Sequence, residues 1–154
     1  MSLSRLRERV PSAQRVGSCT LRAHDLRFHK ASRDSSGKCD AFHTENPDDY
    51  IVGVLFEISA CEKKYLDKAE GLGHAYEEKI VVVEDVSGSE VIAITYYALI
   101  IDESLKPYSW YKNHVLVGAK ESSLPEPYIQ KIDAVECVDD LDQEREEKQR
   151  AIHN

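Results

Sequence analysis

The chain has 154 residues, 42% of them hydrophobic and 31% charged, enough for one domain with its own core. No apolar run is long enough to span a bilayer, and the arginine-rich N-terminus lacks the apolar stretch of a secretory signal. The formal net charge of −8 argues against nucleic acid as the main partner, so a cytoplasmic protein with no nucleic-acid or membrane partner is expected.

In chain order, Met1–Val10 is predicted as a helix, with Leu3, Leu6 and Val10 on one face and arginines on the other. Pro11 stops it. Residues 15–28 read as one strand, or as two with a bend. Ala31–Asp40 reads as a polar loop, Ala41–Thr44 as a short strand and Asn46-Pro47-Asp48-Asp49 as a turn. Tyr50–Ile58 is a strand apolar on both faces, and Gly53 inside it suggests a bulge. A helix is expected over Ala60–Glu70, with Ser59 and Glu62 as a capping box and Gly71 as the left-handed stop. His74–Val86 and Glu90–Ile101 are β-rich and joined by Ser87-Gly88-Ser89, which predicts a hairpin. Ser109 is placed to cap a helix over residues 110–122. A second short helix runs over residues 126–137, with Tyr128, Ile129, Ile132 and Val135 inward. Residues 139–154 form a charged tail, a solvated helix or a frayed end. The predicted fold class is α+β: one domain over residues 1–138, built as a small mixed, mainly antiparallel barrel or curled sheet with helices around it.

Four cysteines, Cys19, Cys39, Cys61 and Cys137, form no C-x-x-C pair, and the six histidines are scattered. Reduced thiols and no metal site are expected. Nucleotide-loop, hydrolase-elbow and metalloprotease motifs are all missing. The first thirty or so residues gather Arg5, Arg7, Arg9, Arg15, Arg22, Arg27 and Lys30 against Glu8 and Asp25. A solvated basic face is the plain reading; attraction of a carboxylate-bearing substrate is the functional one.

Glu70 is the candidate reactive group. It stands at a helix C-terminus, where the helix dipole disfavours negative charge. If it is also desolvated, its pKa rises, which suits a group that takes and returns a proton near neutral pH. On local pattern alone, an exposed last-turn glutamate is the plainer alternative.

The residues also carry a resemblance. The run Tyr111 to Tyr128, containing Gly118-Ala119-Lys120-Glu121-Ser122-Ser123-Leu124-Pro125, resembles the C-terminal signature of the γ-glutamylcyclotransferase family, a Tyr, a G-A-x-E-x-x-L-P run and a Tyr. Leu66-Asp67-Lys68-Ala69-Glu70-Gly71 followed by Tyr76 resembles its catalytic L-D-x-x-E-G segment. Asp49–Phe56 is similar to the strand that precedes it, and Leu3–Leu6 with Pro11-Ser12-Ala13 to its first helix and turn. Family members usually begin with an apolar strand ending in a Y-G-S-N loop, whose amides hold the substrate's α-carboxylate end. The sequence begins where that loop would end, so a gap or an intermolecular contact beside the first helix is expected, and a homodimer is a possible outcome.

The resemblance implies cyclisation of a small-molecule γ-glutamyl substrate to 5-oxoproline, with release of an amino acid or amine. It requires no cofactor. It makes Glu70 the general acid and base, with Tyr76, Tyr97 and Tyr111 as donors or pocket walls. Each tyrosine fits an ordinary core or rim position equally well. The alternative is a non-catalytic module of the same fold that binds a γ-glutamyl-like ligand or a protein.

Overall fold

A computed structural model describes residues 3–153; Met1 and Ser2, part of the first expected helix, lie outside the described residues. Helix α1 (Leu3–Arg9) leads into Val10 and Ala13, both with no exposed surface. With Leu6 they pack against Phe56, Ile58 and Leu66. The expected apolar face of α1 therefore seats it on the end of one strand and on the helix that carries Glu70.

The stretch after Pro11 forms two strands, β1 (Gln14–Arg22) and β2 (His24–Ala31). They are separated by Ala23, whose φ of 57° turns the chain where sequence offers no glycine to announce it. β2 pairs antiparallel with β3 (Gly37–His43). This corrects the expected Ala31–Asp40 loop. The strand begins earlier than Ala41 because its polar residues are paired at long range. Asp40 Oδ2 lies 2.8 Å from His29 Nε2, and its Oδ1 accepts the Ala98 N–H at 2.7 Å. Lys38 Nζ donates to Asp34 at 2.8 Å and sits 4.5 Å over the Trp110 ring.

β4 (Tyr50–Glu57), β5 (Tyr76–Asp85) and β6 (Glu90–Ala98) complete a four-stranded sheet in the order β4-β1-β5-β6. Every strand pair in it is antiparallel, in line with the expected α+β fold with a mainly antiparallel curled sheet. The bulge lies in β1 between Arg15 and Gly17; Gly53 instead pairs in register with Cys19, and a Cβ there would meet nothing within 4 Å. The extra residue is Val16, which is exposed. The β5–β6 hairpin turns at Ser87–Ser89, where Asp85 Oδ1 accepts the N–H groups of Ser87 and Ser89.

β1 and β5 share only the pairs Cys19–Asp85 and Thr20–Glu84. The sheet is a curled half-barrel, open between these strands at an apolar cleft of about 130 Å³ lined by Leu21, Leu55, Val81 and Val83. Across that opening most of β1 and β5 is left without cross-strand pairs.

Helices α3 (Ser109–Glu121) and α4 (Glu126–Asp133) cover the other side. Leu116, Ala119, Leu124, Tyr128, Ile129 and Ile132 build the main core with Phe28, against Val52 and Val54. Tyr108, not Ser109, is the N-cap of α3, and no side chain caps it; Ser109 Oγ accepts from Arg150 Nη2 at 3.0 Å instead. Arg150 ends the fifth helix, α5 (Gln143–Arg150), within the expected tail. Among the described residues, no helix is long and apolar enough to cross a membrane.

Candidate active site

Glu70 ends helix α2 (Lys63–Glu70). The helix starts three residues later than the capping-box pattern suggests, because Ser59 and Glu62 are drawn away. The Glu62 carboxylate accepts the Ser12 N–H at 3.0 Å, and Ser12 Oγ accepts the Ser59 N–H at 2.9 Å. This reciprocal clasp ties the entry of α2 to the exit of α1. Lys63 is ion-paired with both Asp67 and Glu78, and Tyr96 Oη donates to Asp67 at 2.6 Å, so the body of α2 is fastened to the β5–β6 hairpin.

The far end behaves as Gly71 predicts. Its φ and ψ are 71° and 47°, its N–H donates to Lys68 O, and the Leu72 N–H donates to Asp67 O. The left-handed residue closes the helix without a Cβ penalty. The Gly71 carbonyl then accepts the Ala75 N–H at 2.8 Å. The loop is compact, and it carries Tyr76 back toward Glu70 at the start of β5.

The Glu70 side chain is 19% exposed, and Oε1 accepts a hydrogen bond from Arg9 Nη1 at 3.2 Å. Burial raises its pKa above the ordinary 4.5, opposed by Arg9, Lys30 and Arg5. Those cations come from α1 and β2, so two segments distant in sequence converge on the end of α2. Lys30 is buried, with Nζ 5.1 Å from the centre of the Tyr76 ring. Desolvation lowers its pKa, while Asp34 and Glu70 support its charge. In the sequence, Lys30 and Arg9 stand out only as members of a basic face. The signal lies in that same excess of positive charge, but only the fold shows which members gather at Glu70.

Tyr76 Oη donates to Cys39 O at 2.7 Å, and Tyr111 Oη accepts from the Cys39 N–H at 3.1 Å. The two phenols thus bracket one residue of β3, Cys39, from its carbonyl and its N–H. Burial raises both their pKa values, and for Tyr76 the neighbouring Cys39, Glu70 and Asp40 add to the rise. The Cys39 thiol is itself pushed up to about 11 by burial, so near neutral pH it is neither a thiolate nor a nucleophile. Tyr97 is placed differently. It pairs with Glu77, so strand alternation puts it on the opposite face of the hairpin from Tyr76, with Lys79 Nζ 5.3 Å from its ring. The structure brings Glu70, Tyr76 and Tyr111 into one neighbourhood and leaves Tyr97 with Lys79. Among the described residues, no group of three His, Cys, Asp or Glu side chains is arranged to hold a metal ion.

The half-barrel of antiparallel strands thus sets a glutamate at a helix end among cations and phenols. A family model described as AIG2-like matches residues 50–132, just over half the chain. The chain belongs to this AIG2-like, γ-glutamylcyclotransferase-like family. It is 30% identical over 95 residues to a bovine gamma-glutamylcyclotransferase, covering 62% of this chain and 50% of the relative. It is 27% identical over 139 residues to the mouse gamma-glutamylcyclotransferase, covering 86% and 72%. A solved structure titled gamma-glutamyl cyclotransferase superposes with a TM-score of 0.85 at 26% identity, over 97% of this chain and 92% of that one. The alignment with the bovine relative thus spans about half of that relative's length.

Proposed function

We propose that this chain catalyses ring closure of γ-glutamyl amino acids or amines, releasing 5-oxoproline and the free amino acid or amine. The observation that carries the reading is Glu70, a largely buried carboxyl with a raised pKa, set among cations at the end of α2. The α-amine of the substrate attacks its own γ-carbonyl carbon. A C–N bond forms as the γ-amide C–N bond breaks, and one proton passes from the attacking nitrogen to the departing one. A single carboxyl with a pKa lifted toward neutrality can take that proton and return it. The residues require no metal or cofactor for this step.

Tyr76 and Tyr111 serve as walls and donors near the reacting carbonyl in this reading, and Tyr97, on the opposite face of the hairpin, takes no part in it. Residues 1–138 form the working domain and 139–154 an accessory tail. A cytoplasmic setting suits the four free thiols. A homodimer, if formed, would pair through the open edge of β5.

The test is direct. Purified protein is incubated with γ-glutamyl amino acids, γ-glutamylamines and glutathione, and 5-oxoproline is measured. Release from at least one of them, lost in Glu70→Gln, supports the proposal. No release from any of them would end it.

A further inference from the structure

Lys79 of β5 is held unlike most other lysines of the fold. Lys38 is ion-paired with Asp34, Lys63 with Asp67 and Glu78, and Lys131 with Asp25. Among the described residues Lys79 has no carboxylate partner; its Nζ donates to His24 Nε2 at 2.7 Å. Asp40 supports the lysine charge from farther off, but its own oxygens are taken by His29 and the Ala98 N–H. Glu77, two residues earlier, accepts the Glu78 N–H.

His24 is buried, and its Nδ1 lies 2.7 Å from the Arg22 carbonyl oxygen. A carbonyl only accepts, so Nδ1 carries the ring proton and Nε2 presents a lone pair to Lys79. Burial, together with the charge of Lys79 and the neighbouring His43, lowers the His24 pKa against the Arg22 bond and Asp40, so the ring stays neutral. Burial also lowers the Lys79 pKa, which raises the share of free amine. An amine within reach of an imidazole that a third group orients has the build of an activated nucleophile.

The pair stands at one end of the apolar cleft between β1 and β5. Lys79 pairs with Thr95 and shares a face of β5 with Val81, and both of these line the cleft. Ile51 and Leu55 of β4 line it too, with Gly53 between them on the same face. A Cβ at Gly53 would meet nothing within 4 Å, so the missing side chain leaves the space open. At about 130 Å³ the cleft is close in size to an apolar cavity that takes benzene. Its lining includes neither Glu70, Tyr76 nor Tyr111.

We propose that Lys79 and His24 form a second reactive site, at which the lysine amine makes an imine with a small apolar aldehyde whose tail lies in the cleft. The amine attacks the aldehyde carbon and a C–N bond forms. His24 Nε2 takes the surplus proton from that nitrogen and returns it to the oxygen, giving the carbinolamine. The remaining nitrogen proton follows the same route, the C–O bond breaks and the oxygen leaves as water. One amine and one aldehyde thus give one imine and one water, with no oxidant or reductant.

Trapping tests this independently of ring closure. The full chain is incubated at neutral pH with limiting butanal and cyanoborohydride, which reduces an imine to a stable secondary amine, and the alkylated lysines are mapped and timed by mass spectrometry. Lys79 should be labelled first, at least about tenfold faster than the exposed Lys64 and Lys68. His24→Gln keeps a hydrogen-bond acceptor but no base, and should slow Lys79 labelling about 100-fold or more. Gly53→Leu fills the cleft, and should suppress labelling of Lys79 by butanal while leaving its labelling by formaldehyde unchanged. Each variant is checked for folding by circular dichroism. Lys79 labelled no faster than Lys64 and Lys68, an unchanged rate in His24→Gln, or full butanal labelling in Gly53→Leu would overturn the proposal.

Discussion

Asp140 and Glu70 are both carboxylates withdrawn from water, and the fold treats them in opposite ways. Asp140, with 1% of its side chain exposed, accepts from Arg145 through two nitrogens, from Trp110 Nε1 at 2.8 Å and from the Asp142 N–H at 3.0 Å. The Arg145 bonds hold its pKa well below the usual carboxylate range. Glu70 has Arg9 at 3.2 Å, and burial prevails, so its pKa rises. A covered carboxylate whose lone pairs are all met becomes a structural pin. One left short of partners stays ready to bind a proton.

Glu70→Gln breaks the comparison on the catalytic side and should have the largest effect. Loss of a positioned acid–base group lowers the rate about 10²- to 10⁴-fold, read as 5-oxoproline release. Thermal melting at neutral pH should be no lower than wild type, because a desolvated charge is removed and Arg9 is exposed enough to be solvated. Asp140→Ala should do the reverse. It orphans the indole N–H and the guanidinium and costs about 2 kcal/mol by urea unfolding, with the rate of the remaining folded protein kept. Its pH signature follows from a depressed folded pKa. The stability it adds is present above the ordinary 3.8 and disappears as the pH falls toward the folded value. Glu70 has the opposite sign. It costs stability above its raised folded pKa, and that cost fades as the pH falls through the folded value to below the ordinary 4.5.

A third experiment sharpens the contrast at Glu70 itself. The groups acting on it are Arg5 and Arg9 from α1 and Lys30 from β2, with Tyr76 of β5 close enough to feel its charge. Since Arg9 lowers the Glu70 pKa, Arg9→Met should raise it. The acid limb of the rate–pH profile, already raised by burial of Glu70, should move to still higher pH. An acid limb unmoved in Arg9→Met would mean that Glu70 is not the titrating group.

Local signals are legible wherever the structure is local. Gly71 at the end of α2, the Ser87–Ser89 turn and the inward face of α4 can each be read from neighbouring residues. The family resemblance points to the fold class and to Glu70. Features settled by distant partners are hidden. β3 reads as a loop because the partners of Lys38 and Asp40 lie on β2, β6 and α3. The Ser59–Glu62 box is lost to Ser12, which no local pattern announces. Lys30, between His29 and Ala31 on a strand edge, reads as a solvated lysine until the fold covers it. The hairpin of β5 and β6 is legible from its β-branched runs, but not that one face of it, with Ile80 at 76% and Ile92 at 78%, stays exposed.

The smallest expected effect lies in the turn that aims Glu70. At Gly71, a side chain would have to adopt φ of +71°, with its Cβ 3.1 Å from the Ala75 Cβ. Gly71→Ala should therefore cost about 1 kcal/mol from backbone strain, plus a small shift of the loop to relieve the contact. At Gly73, with φ of +79°, an added Cβ would meet nothing within 4 Å, so Gly73→Ala carries the strain without the contact. Comparing the two separates stability from aim. If the cap positions the carboxylate, Gly71→Ala loses activity out of proportion to its unfolding free energy, while Gly73→Ala does not. Equal rate losses at equal stability would mean that the Glu70 position is held from the Arg9 side instead, and that the left-handed cap serves the helix alone.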